Sequence, residues 1–167
     1  MQKPSLPFLV MMFVGVTLIY ASVFERQVPV LIWNASASVP IGLYGVTFDY
    51  PKRGDMVLVH TPDFIAELAD KRRYLPVGIP LIKHVAAVFG DVVCSSNHVV
   101  SINGIAVARQ LETDSAGRPM PLWNSCRSLE RDEYFLLAEA QDSFDSRYFG
   151  PVSSAHIMGR LVLIWTK

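Results

Sequence analysis

Lysine is scarce in this sequence, and its scarcity carries information. Only five occur, Lys3, Lys52, Lys71, Lys83 and Lys167, among 167 residues. Charge of either sign is thin: 18% of residues are charged, and 15 basic groups cancel 15 acidic ones. No basic field is present to attract nucleic acid, which excludes that partner class. The four histidines show no metal-ligand spacing, and two cysteines 32 residues apart make no zinc site, so the sequence implies neither metal nor cofactor. Internal repeats and low-complexity tracts are lacking, and scattered Gly and Pro exclude a collagen or a coiled coil. Disorder is excluded by the 51% hydrophobic content. The length leaves room for one domain and little else.

What is abundant is concentrated at the front. From Pro7 to Phe24 the chain reads PFLVMMFVGVTLIYASVF without a charge. At about 1.5 Å per residue a helix of that length covers about 27 Å, just enough for a hydrocarbon core. Lys3 and the amino terminus flank one end, while Glu25 and Arg26 cancel at the other, a slight bias placing residues 1–6 in the cytoplasm. The alternative is a cleaved secretory signal. Small residues are wanted at the third and first positions before such a cut. Around Ala21 and Ser22 the pairs are Ile19/Ala21 and Tyr20/Ser22, each with a bulky partner. The expectation is an uncleaved transmembrane anchor over 7–24, with 25–167 outside the cytoplasm. Cys94 and Cys126 then form an even pair in a compartment that permits a disulfide, the other reading being two buried free thiols.

Beyond the anchor most apolar runs are short and rich in Val and Ile. Val28–Trp33, Met56–His60, His84–Val88, Val99–Ile102, Ile105–Ala108, Tyr134–Ala138 and Leu161–Trp165 read as strands. Asn103-Gly104 between two of them signals a type I′ hairpin. Gly54-Asp55 and Gly90-Asp91 look like turns into strands. Apolar residues at helical spacing after Pro62, closed by Lys71-Arg72-Arg73, predict a short helix from Asp63 to Arg73. Between Glu112 and Ser128 turn residues dominate, predicting a surface loop tied by Cys126. The fold class is mostly β: one antiparallel β domain, its sheets coiled around a small core, behind one amino-terminal transmembrane helix.

Four of the five lysines lie at a terminus, in a loop or at a charged helix end. Lys83 sits instead within Ile79-Pro80-Leu81-Ile82-Lys83-His84-Val85-Ala86. An ammonium among apolar neighbours loses pKa and becomes a candidate general base. Taken alone it also fits an exposed position on an edge strand. Ser38 lies in the small, turn-forming stretch Asn34-Ala35-Ser36-Ala37-Ser38-Val39-Pro40, where Pro40 constrains the backbone. A hydroxyl held there is a candidate nucleophile, and a plain serine-rich linker is the other reading.

Several blocks together resemble the signal peptidase I superfamily. They are Ser38-Val39-Pro40 after the anchor, Gly54-Asp55-Met56-Val57, Lys83 opening a run that ends Phe89-Gly90-Asp91, and Asp142-Ser143-Phe144-Asp145-Ser146-Arg147. They occur in the superfamily's order and, with the hydrophobic start, span nearly the whole chain. Pro40-Ile41-Gly42-Leu43-Tyr44, Tyr74-Leu75-Pro76-Val77-Gly78 and Arg147-Tyr148-Phe149-Gly150-Pro151 resemble the TraF-type peptidases of bacterial conjugation. That resemblance implies a peptidase of the bacterial inner membrane with a periplasmic catalytic domain. Its implied task is pilin maturation, by cleavage and in some members by joining the cut pilin into a ring. Its implied partners are an exported precursor, the bilayer and other proteins of the conjugation apparatus.

The same resemblance assigns roles. Ser38 is the nucleophile and Lys83 the general base. Ser36 joins the Ser38 backbone N–H in the oxyanion hole. Ser143 orients the lysine, and Asp145 and Arg147 look like a structural ion pair beneath the site, with acid assistance by Asp145 as the alternative. Alternation along a strand sends His84 to the opposite face from Lys83. Phe89 stands where the superfamily usually has Pro, and Ala138-Glu139-Ala140-Gln141 lacks the Gly-Asp pair that general signal peptidases carry there. The 112–128 loop is a candidate lid that would shield an acyl-enzyme from water. Competing functions are a housekeeping signal peptidase and a non-catalytic anchored subunit.

Overall fold

Strands dominate because the chain supplies short β-branched runs separated by turn residues. The computed structural model describes residues 5–24, 29–36 and 39–166. After helix α1 (Leu6–Phe24) come β1 (Leu31–Asn34), β2 (Gly42–Thr47), β3 (Met56–Val59), helix α2 (Asp63–Lys71) and β4 (Leu81–Ala87). Then follow β5 (Val92–Ser96), β6 (Val99–Ile102), β7 (Ile105–Arg109), β8 (Cys126–Ser128), β9 (Glu133–Leu137), the short helix α3 (Ser146–Phe149), β10 (Val152–Ser153) and β11 (Ile157–Thr166). All pairings are antiparallel. They build a seven-stranded sheet in the order β1-β2-β11-β3-β4-β9-β10 and a four-stranded sheet in the order β7-β6-β5-β8.

The larger sheet is buried on both faces at its centre. In β3, Val57 packs with Val85, Leu136 and Val152, while its neighbour Leu58 packs with Tyr44, Val46 and Leu161 on the other side. That is why β3 reads as a continuous apolar run rather than an alternating one. A third cluster joins the two sheets: Ala87, Phe135 and Leu137 meet Val93, Val100 and Ile102 of the smaller sheet. Cys94 and Cys126 lie directly opposite each other in the β5–β8 pairing and form the disulfide.

Several expectations need correction. β2 was not expected as a strand, because Gly42 and Gly45 depress β propensity. A Cβ on Gly42 would stand 2.2 Å from the Trp165 carbonyl oxygen, so β2 approaches the bulged end of β11 as closely as only glycine permits. Residues 126–128, expected in a loop, pair with β5 as a strand. Helix α2 stops at Lys71 rather than Arg73, which sits at φ 60° and turns the chain out of the helix. The Asn103-Gly104 turn has φ 52° and 83°, the positive pair a type I′ hairpin requires.

The anchor also departs from expectation. Among the described residues no helix is long and apolar enough to cross a membrane.

Candidate active site

Lys83 stands in the middle of the large sheet. On β4 it pairs with Val57 of β3, and β9 closes the other side of the strand. Only 4% of the residue is exposed. Its Nζ donates to Ser143 Oγ at 2.5 Å, bringing together two residues 60 positions apart. Burial pulls the Lys83 pKa below the ordinary lysine value. Asp145 opposes that pull by favouring the ammonium, and Arg147 reinforces it. His84, one residue along, is less buried, and its Nδ1 lies 3.5 Å from the Gly54 carbonyl oxygen on the far side of the strand.

Ser143 owes its position to the ion pair beneath it. Asp145 Oδ1 accepts from Arg147 Nε at 2.7 Å, and its Oδ2 accepts from Arg147 Nη2 and the Ala138 N–H, both at 3.0 Å. Asp145 also caps α3 by accepting from the Arg147 N–H. Arg147 in turn donates to the carbonyls of Ala138, Ala140 and Gln141. The segment that lacks a Gly-Asp pair thus supports Arg147 through its main chain. Both side chains are buried, and Asp145 bonds to Arg147 and to the Ala138 N–H.

A cavity of about 700 Å³ opens beside Lys83. Asn34, Ala35 and Ser36 border it on one side, Lys83, Asp142 and Phe144 on another. Ser36 is exposed, and its hydroxyl donates to Asn34 Oδ1 at 2.8 Å. Ser38, assigned the nucleophile from sequence, lies outside the described residues, as does Ala37. The cavity walls are largely apolar. Among the described residues no group of three or more His, Cys, Asp or Glu is placed to hold a metal ion.

The expected lid region packs against the residues that follow α2. Thr113 bridges to Pro119, and Tyr74 OH donates to Asp114 Oδ2 at 2.5 Å. Arg118 Nε donates to the same oxygen at 2.7 Å, while Arg72 reaches the Pro119 carbonyl at 2.8 Å. Burial would raise the Asp114 pKa, but hydrogen bonds from Tyr74, Arg118 and Ala116 outweigh it and hold the carboxyl well below the usual range. Thr113, Asp114, Ser115 and Met120 border the cavity. Sequence reasoning missed this latch and also missed Asn34. The latter did carry a signal, since Asn ahead of small polar residues initiates an Asx turn.

A family model described as signal peptidase, peptidase S26, matches residues 4–166. A plasmid transfer protein TraF of Escherichia coli is 30% identical over 145 residues, covering 79% of this chain and 82% of that protein. A probable conjugal transfer protein TraF of Sinorhizobium fredii is 36% identical over 141 residues, covering 75% and 72%. Among solved structures, a signal peptidase I from Enterococcus faecalis V583 aligns at 21% identity with a TM-score of 0.42, over 70% of this chain and 100% of the other.

Proposed function

The chain belongs to the signal peptidase family, peptidase S26, and on that premise we propose that it is a membrane-anchored Ser-Lys peptidase that matures pilin precursors in conjugative transfer. One observation carries the reading. A lysine 4% exposed, with its pKa lowered by burial, meets a serine hydroxyl at 2.5 Å on the wall of a cavity shared with Ser36.

In this reading neutral Lys83 takes the hydroxyl proton as Ser38 Oγ attacks the scissile carbonyl carbon. The oxyanion forms against the Ser38 N–H and the Ser36 hydroxyl, each such donor being worth about 3–4 kcal/mol of barrier. Lys83 then returns the proton to the departing amine, leaving an acyl-enzyme on Ser38. Ser143 holds the amine through one hydrogen bond, keeping its lone pair directed at the reaction. Asp145 and Arg147 fix the turn that carries Ser143 and take no part in proton transfer.

Attachment to the bacterial inner membrane through Pro7–Phe24, with residues 25–167 in the periplasm, belongs to the same proposal. The uncharged run supports it, as do the exposed apolar side chains through α1. So does a second apolar surface: Leu31, Trp33, Ile164 and Trp165 are all more than half exposed, and the two indoles stack 5.9 Å apart. Indole rings suit the headgroup level of a bilayer. The names of the relatives, a plasmid transfer protein and a probable conjugal transfer protein, support the conjugative context.

The test co-expresses the full chain with a conjugative pilin precursor in bacterial membranes. Ser38→Ala and Lys83→Ala should each abolish cleavage without altering thermal unfolding grossly. Cleavage retained by either variant refutes the dyad. Mass spectrometry of the product separates hydrolysis from ring closure, because a ring is one water lighter than the cut chain.

A further inference from the structure

The connection between β1 and β2 carries Ser38, and one buried side chain spans it. Asn34 ends β1 opposite Gly42, the first residue of β2, and is 5% exposed. Its Oδ1 accepts from the Ser36 N–H at 3.0 Å and the Ser36 hydroxyl at 2.8 Å. Its Nδ2 donates to the carbonyls of Ser36 at 2.9 Å, Val39 at 3.0 Å and Pro40 at 3.1 Å. Two N–H groups serve three acceptors, so one is shared. Tyr44 OH donates to the Pro40 carbonyl at 2.6 Å from beneath. These contacts fall on the residues immediately before and after Ala37 and Ser38.

We propose that Asn34 is a positioning residue for the nucleophile, pinning the backbone at Ser36 on one side of it and at Val39 and Pro40 on the other. The inference rests on the assignment of Ser38 and Ser36 made above. Its physical basis is that the 35–41 connection has few ladder bonds of its own, so its carbonyls need other partners. Only an amide at this reach supplies an acceptor toward Ser36 and donors toward the carbonyls at once. Aspartate keeps the acceptor and loses the donors, alanine loses both, and glutamine is one methylene too long. Pinning both ends of a two-residue span removes backbone freedom that an attacking hydroxyl would otherwise have to give up at the reaction.

The experiment compares the wild-type full chain with Asn34→Ala and Asn34→Asp in detergent micelles. Cleavage of a conjugative pilin precursor and amide hydrogen exchange are both followed. In Asn34→Ala, kcat should fall about a hundredfold with KM little changed, the scale of a misplaced reactive group. Exchange should accelerate across 35–41 and stay unchanged in β3, β4 and β9. If Asn34→Ala does not fold, Asn34→Asp, which is isosteric and keeps the bonds to Ser36, should still show a reduced kcat and faster exchange at 39–41. A wild-type kcat, or a loss that disappears well below the melting temperature, overturns the proposal. If wild type and Ser38→Ala are equally inactive, the peptidase reading fails. Exchange then decides the bracket separately, and an unchanged rate at 35–41 overturns it.

Discussion

Replacing Lys83 by Met should abolish cleavage and make the protein more stable. The two side chains have similar length, and the site is 4% exposed, so Met fits where the lysine stem already packs. Two effects of opposite sign decide the outcome. Loss of the bond to Ser143 costs about 1 kcal/mol, and up to about 3 kcal/mol when the donor is charged. Removal of a buried ammonium with one hydroxyl partner relieves several kcal/mol of desolvation. The cavity beside Lys83 admits some solvent, so a net gain of about 1–3 kcal/mol is expected near neutral pH. For a protein of this size that is a rise of roughly 3–10 °C in Tm. The sign with pH follows from the lowered pKa of Lys83. Between that folded value and the ordinary lysine value of about 10.4, the native protein binds fewer protons than the unfolded chain. Wild-type stability therefore rises with pH across that window and levels off above it. The advantage of Met should shrink as pH rises from below the folded Lys83 value toward the ordinary lysine value, as read by thermal unfolding of both full chains in the same detergent. A difference that is constant or grows with pH would refute the claim that burial of the ammonium sets the properties of this lysine.

The same protonation argument predicts that wild-type kcat/KM rises with pH along a single limb. Ser143→Ala should lower kcat at every pH, by about tenfold to a hundredfold, because the amine loses its orienting partner. Asp145→Ala should destabilise by about 3–5 kcal/mol in urea unfolding, since it strands Arg147 as a buried charge. Because the same pair holds the turn that carries Ser143, kcat of the folded fraction should fall no further than in Ser143→Ala, and a kcat collapse without loss of stability would instead make Asp145 an acid in the reaction. Replacing both Cys94 and Cys126 by Ala should cost about 3–4 kcal/mol in the chain-entropy picture, read as a shift in the urea midpoint. Asp114→Asn should loosen the 112–120 segment from Arg72 and Tyr74. The lowered Asp114 pKa makes its contribution present above the ordinary carboxylate range and lost on acidification below it. Limited proteolysis at 112–120 should therefore increase in the variant at pH 7, and in wild type only under strongly acid conditions.

The parts of the fold legible in the sequence were those that local chemistry decides. Val99–Ile102 and Met56–Val59 are strands because β-branched residues favour the pleated, buried setting. The Asn103-Gly104 hairpin follows from two residues that tolerate positive φ. β2 and β8 were hidden for a different reason. Gly42-Leu43-Tyr44-Gly45 and Cys126-Arg127-Ser128 have little intrinsic strand preference and become strands only because β11 and β5 lie alongside them. In the site, Lys83 stood out as the one lysine among apolar neighbours, and Ser143, Asp145 and Arg147 as parts of an ordered motif.

The sequence by itself determined the chemical kinds available: a lysine without charged neighbours, small hydroxyl-bearing turns, an uncharged amino-terminal run and one pair of cysteines. Those follow from residue type and spacing, which need no partner. Tertiary structure alone decided that Lys83 is interior rather than on an edge, because β3 and β9 close over both sides of β4. It also placed Ser143 on the amine across 60 residues, gave Arg147 three main-chain carbonyls, and set Asn34 across the turn that holds Ser38. Each of these depends on desolvation and hydrogen-bond distance, quantities that exist only once distant segments of the chain are packed together.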